Sequence, residues 1–160
     1  MQQFHLRCRP CYSLAMNTDI PSFALGADHG GWKLKTVLAD WLRARGHAVT
    51  DFGTNGPDSV DYPDFAHAAC AAVISGAARF GILVCGTGLG MSYAANRHSE
   101  IRCAMVSETT SARLARQHNN ANMLALGGRM IGEEMAIDIV ATFIATDYEG
   151  GRHDRRIAKI

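Results

Sequence analysis

No charge sign dominates this chain: 16 Lys plus Arg stand against 15 Asp plus Glu, a formal net charge of +1. A balance so close to zero gives no field able to hold nucleic acid or an anionic membrane over a whole face, so anion binding has to be local. No apolar run is long enough for a signal peptide or a membrane span. Repeats, linkers and low-complexity stretches are absent too, and four prolines with 16 scattered glycines exclude a collagen or linker pattern. The five cysteines, at positions 8, 11, 70, 85 and 103, form no paired framework of the secreted kind, and a cytoplasmic protein is expected. Cys8 and Cys11 make a CxxC, but neither a second pair nor a histidine pair follows at zinc spacing. They read as incidental thiols, with no metal expected.

What is present describes one folded domain. In 160 residues, 48% are hydrophobic, enough for a single core that buries roughly 70% of the surface of the unfolded chain. Residues 1 to 15 contain Arg7 and Arg9, no acidic residue and no hydrophobic period, and Met16 precedes Asn17, Thr18 and Asp19. Residues 1 to 22 are therefore expected to be an appended, disordered extension, with Met16 an alternative start. The domain is expected over 23 to 160. An Arg-bearing, acid-free start also resembles a transit peptide, although the amphipathic helix of one is missing.

From residue 23 short apolar runs alternate with helix-period segments. Strands are expected at Phe23 to Ala27, Ala48 to Phe52, Gly81 to Cys85, Ile101 to Val106 and Met123 to Leu126. Between them, Leu34, Val37, Leu38, Trp41 and Leu42 mark a helix ended by Gly46. Further helices are expected at Phe65 to Ile74, Leu89 to Asn96 and Ser111 to Gln117, and a last one carries Ala136, Ile139, Val140, Phe143 and Ile144. The class is α/β: a three-layer α/β/α, Rossmann-like domain with a five-stranded parallel sheet. Strand order does not follow from spacing.

Ligands of such sheets bind beyond the carboxyl ends of the strands. There the chain carries Asp28-His29-Gly30-Gly31, Cys85-Gly86-Thr87-Gly88-Leu89-Gly90, Ser107-Glu108 and Gly127-Gly128-Arg129. Gly86, Gly88 and Gly90 open a helix directly after a buried strand, a turn whose backbone N–H groups converge on an anion. The spacing is GxGxG, not the GxGxxG of dinucleotide folds, and it follows the third strand instead of the first. A thiol at a helix N-terminus, as Cys85 is here, can ionise below about 8.5 and act as base or nucleophile, with the loop donors stabilising an oxyanion. That combination suits proton removal next to a carbonyl, although a free cysteine is also often just a small buried hydrophobe. Asp28 and His29 offer a carboxylate and an imidazole at the same edge, or a turn cap and a surface histidine. Arg152 and Arg156 share a face if the run Glu149 to Arg156 is helical, and paired guanidinium forks recognise phosphate. His118 and Asn119 close the fourth helix just before a strand begins. Five residues of strand at about 3.3 Å each put His118 roughly 16 Å from its own Cys85, so it either caps a helix end or acts in a neighbouring subunit's site.

Five blocks, GADHGG (26 to 31), DYPDFA (61 to 66), CGTGLGMSYAANR (85 to 97), SARLARQHNNANMLALGGR (111 to 129) and YEGGRHDRR (148 to 156), together resemble the type B ribose-5-phosphate isomerases and the related galactose- and allose-6-phosphate isomerases. The resemblance implies aldose–ketose interconversion of a sugar phosphate through a cis-enediolate, in the pentose phosphate pathway, without metal or organic cofactor. It implies Cys85 as the base between C1 and C2, Thr87 assisting at the oxygens, and Gly86 to Gly90 amides on the enediolate. His118 corresponds to the ring-opening group, supplied with Asn119 by the partner of a homodimer or dimer of dimers. Asp28 and Tyr62 correspond to residues on sugar hydroxyls, and His29, Arg129, Arg152 and Arg156 are similar to the phosphate-binding set. Asn96 falls in a family motif without a role. Family members lacking the thiol use a Glu at the position of Met91, so this chain resembles the thiol branch, while its leader departs from a family whose chains start near the first strand.

Three other readings stay open: an isomerase of a six-carbon sugar phosphate, a non-catalytic sugar-phosphate or nucleotide-binding module, and a metal hydrolase built on Asp28, His29 and His118.

Overall fold

The computed structural model describes residues 20–160, so Cys8, Cys11, Met16 and most of the expected extension lie outside the described residues. The described chain runs β1 (Phe23–Ala27), α1 (Trp32–Ala44), β2 (Val49–Asp51), α2 (Tyr62–Ile74), β3 (Phe80–Cys85), α3 (Leu89–Ala95), β4 (Cys103–Met105), α4 (Thr109–Asn119), β5 (Met123–Gly127) and α5 (Glu133–Ile144). A 3-10 turn (Gly151–His153) then leads into α6 (Asp154–Ile157). All five strands pair in parallel, in the order β2-β1-β3-β5-β4.

Right-handed crossovers turn that order into layers. The step from β1 to β2 runs one way across the sheet and the step from β2 to β3 runs back, so α1 and α2 cover opposite faces. The step from β3 over β5 to β4 keeps α3 beside α2, and the return to β5 puts α4 with α1 and α5. Both faces being covered, the central strands are apolar throughout. Phe23, Leu25, Ile82, Val84, Leu124 and Leu126 point toward α1, α4 and α5, against Leu38, Leu42, Ile139 and Phe143. Ala24, Leu83, Cys85, Met123 and Ala125 point toward the small residues Ala66, Ala69, Cys70 and Ala95 of α2 and α3. Each large side chain buried this way contributes about 1.5–3 kcal/mol relative to exposure.

Most element boundaries differ from the sequence expectation by a residue at an end, and three larger differences have a local cause. Helix α2 begins at Tyr62 instead of Phe65, because Pro63 sits in the first turn, where a missing N–H leaves no bond unmade. Helix α4 begins at Thr109 because the Glu108 carboxylate accepts from the Thr110 and Ser111 N–H groups, both at 2.6 Å. Glu is not among the residues that ordinarily announce a cap. Strand β4 is three residues instead of six, since at the sheet edge side chains take over the ladder: Asn122 Oδ1 accepts from Arg102 N at 2.8 Å and Asn96 Oδ1 from Cys103 N at 2.9 Å. Gly46 does end α1, at φ 84°.

A buried cation ties β2 and the long loop after it to the domain. Lys35 on α1 has no solvent exposure, and its Nζ meets Asp51 Oδ2 at 2.7 Å, the Thr54 carbonyl at 2.9 Å and Asn55 Oδ1 at 2.9 Å. Asp51 and Asn55 themselves keep solvent access, so removing the amine costs less than breaking a wholly buried pair, about 1–3 kcal/mol. Lys35→Ala is expected to lose stability on that scale in urea unfolding, and a loss under about 1 kcal/mol would show that water replaces the amine.

Candidate active site

The crossover direction reverses between β1 and β3, which opens a crevice at the carboxyl ends of those two strands. Three glycine turns meet there. A Cβ on Gly30 would lie 2.9 Å from Gly86 N, one on Gly128 would lie 2.8 Å from Gly30 O, and one on Gly31 would collide with the Val84 carbonyl. The turns after β1, β3 and β5 therefore pack backbone on backbone. Gly128 N–H donates to Cys85 O at 2.8 Å and Arg129 N–H to Gly86 O at 3.1 Å, which closes the β5 turn onto the β3 turn.

Cys85, the last residue of β3, is buried at 5% exposure, and its Sγ accepts from the Gly88 N–H at 3.1 Å. Gly88 adopts φ 80° as the cap of α3, a left-handed conformation that lets the helix start directly after the turn whose amide meets the sulfur. Thr87 is exposed beside it, with Oγ1 accepting from Leu89 N at 3.4 Å. Gly90 leaves room for the ring of Tyr62, which a Cβ there would meet at 2.7 Å. Asp28 is buried, and its Oδ1 accepts from Gly30 N at 2.8 Å, so it braces the β1 turn without capping α1.

A cleft of about 330 Å³ opens at the N-terminus of α1, lined by His29, Lys33, Pro57, Gly128 and Arg129 among others. His29 Nδ1 accepts from the Val60 N–H at 3.3 Å, leaving Nε2 as the donor of the neutral ring. The Arg129 side chain lies over Gly86, 3.6 Å from where a Cβ would be. No acidic residue stands in the first turn of α1. The cleft suits an anion.

Structure thus brings Asp28, His29, Tyr62, Cys85, Gly86, Thr87, Gly88, Gly90 and Arg129 to one edge of the sheet. His118, Asn119, Arg152 and Arg156 are not with them. His118 and Asn119 end α4, at the edge where β5 begins, and His118 stacks on His153 of the 3-10 turn. The Arg152 and Arg156 charges act on the same His153. Asp28 and His29 are therefore separated from His118 within one chain, and among the described residues the group of three or more metal-type donors is His118, Glu149 and His153.

The sequence reading named Asn96 without a role and did not single out His153. Asn96 is a stitch: its Nδ2 donates to Ser92 O and Cys103 O, both at 2.9 Å, and its Oδ1 holds Cys103 N–H, which fixes α3 to β4. His153 lies inside the quoted run 148 to 156, but only the fold shows its contact with His118.

Residues 23–160 match the family model described as Ribose/Galactose Isomerase. The ribose-5-phosphate isomerase B of Escherichia coli K12 is 45% identical over 137 residues, 86% of this chain and 92% of the relative. A solved ribose 5-phosphate isomerase from Thermotoga maritima superimposes with a TM-score of 0.86 at 50% identity, covering 87% of this chain and 96% of the other. The Mycoplasma genitalium ribose-5-phosphate isomerase B, solved with bound ribulose-5-phosphate, gives 0.83 at 40% identity, covering 86% and 92%.

Burial pushes the Cys70 thiol up to about 11, and burial with Cys70 nearby pushes Cys103 higher still, so both stay protonated at neutral pH. Iodoacetamide at about pH 7.5 is expected to label Cys85 before either of them, read by peptide mass spectrometry. Labelling of Cys70 or Cys103 first would contradict that order.

Proposed function

The chain belongs to the ribose/galactose isomerase family, and on that premise we propose that it interconverts D-ribose 5-phosphate and D-ribulose 5-phosphate through a cis-enediolate, a step of the pentose phosphate pathway. The observation that carries this reading is the Gly88 N–H directed at Cys85 Sγ in a crevice beside an anion cleft.

In the open-chain aldose, the Cys85 thiolate removes the C2 proton, and the electrons move through C1=C2 onto O1. The resulting enediolate needs donors, and with the Gly88 amide given to sulfur, the remaining amides of the loop from Gly86 to Gly90 supply them. Each such donor is worth about 10²–10³ in rate. The same thiol returns the proton to C1 while the O2 proton passes to O1 through the Thr87 hydroxyl. Bonds and protons then balance with no external reductant or oxidant. Asp28 and Tyr62 hold sugar hydroxyls, and His29 and Arg129 hold the phosphate at the α1 cleft.

Furanose opening precedes this: an acid protonates the ring oxygen as its bond to C1 breaks. We assign that proton to His118 of a second subunit, accompanied by Asn119, Arg152 and Arg156, within a homodimer or dimer of dimers. Met105 and Met130 stand beside Gly88 and Gly127, 43% and 66% exposed, with Leu89 and Tyr93 also exposed nearby on α3. At the opposite edge a cleft of about 520 Å³ is lined by Ile101, Arg102, Asn119 and Ile157. Apolar groups at one edge and a groove at the other suit subunits that place the two edges together. The free thiols Cys70, Cys85 and Cys103 fit a cytoplasmic setting, and the isomerase domain is assigned to 23–160 with residues 1–22 as an extension. Neither a six-carbon substrate nor a non-catalytic module is favoured by any feature of the site.

Cys85→Ala is expected to lower kcat for ribose 5-phosphate at least about 100-fold with the fold intact; near-normal turnover would sink the base assignment. Ribose 5-phosphate is expected to be used in preference to allose 6-phosphate and galactose 6-phosphate in a parallel assay. Mixing inactive Cys85→Ala and His118→Ala chains is expected to restore about a quarter of wild-type activity, since half the dimers then hold one intact site of two. No recovery after subunit exchange is verified by mass would refute the shared site.

A further inference from the structure

We infer that His153 is a positioning residue for His118: its imidazole lies flat against the ring-opening histidine and sets where that ring can stand. The inference rests on the isomerase reading above. The two ring centroids are 4.6 Å apart and the planes are within 9° of parallel. His118 is half-buried and His153 is buried, so the covered ring supports the accessible one.

The tail is folded to bring this about. Glu149 N–H donates to Gln117 O at 3.0 Å, fastening the tail to the last turn of α4, and His153 N–H donates to Gly150 O at 3.2 Å. Gly150 and Gly151 both take positive φ, 64° and 62°, which permits so tight a return between Glu149 and His153. Arg152 Nε donates to His153 Nε2 at 3.5 Å, and the Glu149 carboxylate stands 3.9 Å from the same nitrogen.

The groups facing His153 are His118 on α4, Glu149 before the turn, and Arg152 and Arg156 on the tail. Burial first, then His118 and the two arginines, hold His153 below the usual histidine range, with Glu149 opposing them. Its neutrality has a use: two imidazolium charges stacked at this distance would repel, so a neutral support leaves His118 free to carry the proton. The donor atoms of His118, Glu149 and His153 lie within 4.8 Å of one another, a spacing that metal ligands also have. Parallel rings, however, do not aim their lone pairs at one ion, and Arg152 and Arg156 make the surroundings positive.

The test compares His153→Ala with His153→Phe in the full chain, after thermal unfolding and subunit mass show each folded and assembled. His153→Ala is expected to lower kcat for ribose 5-phosphate about tenfold or more while KM moves less than about threefold. His153→Phe, which restores a flat face without a titrating group, is expected to recover most of kcat. Proton NMR of His118 reads the stack directly: its ring resonances carry the shift from the neighbouring ring, lose it in His153→Ala and regain it in His153→Phe. Equal kcat in the alanine and phenylalanine variants, or an unchanged kcat in His153→Ala, overturns the inference, as does a His118 spectrum indifferent to His153. If the wild-type chain fails to isomerise ribose 5-phosphate, the isomerase reading fails, and the NMR comparison still reports separately whether His153 sets the His118 ring.

Discussion

Everything at the candidate site depends on three turns that touch through bare backbone. Gly30 lies on Gly86, Gly31 on the Val84 carbonyl and Gly128 on Gly30, so a side chain at any of these points would drive the carboxyl ends of β1, β3 and β5 apart. Only under that contact do Asp28, Cys85 and Arg129, more than forty residues apart at the nearest chain spacing, stand in one crevice. Each such glycine costs the fold roughly 0.5–1 kcal/mol in chain entropy. The cost is met by strands apolar on both faces, from Phe23 to Leu126.

The same sheet that assembles the crevice holds the end of α4 away from it. His118 ends α4 at the edge where β5 starts, and a strand is a rigid spacer of about 3.3 Å per residue. The opposite edge has its own construction. Arg102 donates to the Asn119 and Asn120 carbonyls at 2.9 and 3.1 Å, and Arg116, between the Phe80 and Phe143 rings, donates to Asn120 Oδ1 and the Ala121 carbonyl. These arginines satisfy the end of α4 and leave its last turn fixed, with the tail closing over it. Cationic groups therefore gather at both edges of a chain whose net charge is +1, and a phosphate held between two subunits would meet both sets.

The sheet was legible because buried parallel strands announce themselves as uninterrupted apolar runs, and the glycines after them mark turns. The three-layer class followed from the alternation of strands and helices, but which helix covers which face did not, because it needs the strand order and a crossover of given length reaches a neighbour or skips one equally well. What escaped the sequence are contacts made by ordinary residues in unpredictable places. A glutamate caps α4, Asn96 acts as a strand partner for Cys103, and a histidine in an arginine-rich tail lies on His118. Periodicity is blind to these because each is a meeting of two segments whose separation in space is set by the whole fold. The identity of Cys85 as a candidate was readable from its place before the glycine loop. The amide that meets its sulfur was not, since that depends on the path of the turn between Cys85 and Gly88.

Stability and chemistry also share a path at the other end of the crevice. Lys35 fixes the start of the loop after β2 through Thr54 and Asn55, and the end of that loop presents the Val60 N–H to His29 Nδ1. The imidazole accepts there, so its outward nitrogen is the donor that faces the α1 cleft. A cation with no solvent exposure thus reaches the anion site without touching it, by holding a loop whose far end selects a tautomer. Loops are otherwise the mobile part of such a domain, and one that orients a binding group needs an anchor stronger than its own turns. Burying a charge is the expensive way to provide one, and it is stable here because an aspartate, a carbonyl and an amide oxygen surround the amine within 2.9 Å. Loosening that anchor is a fault in the fold that would be felt first at His29.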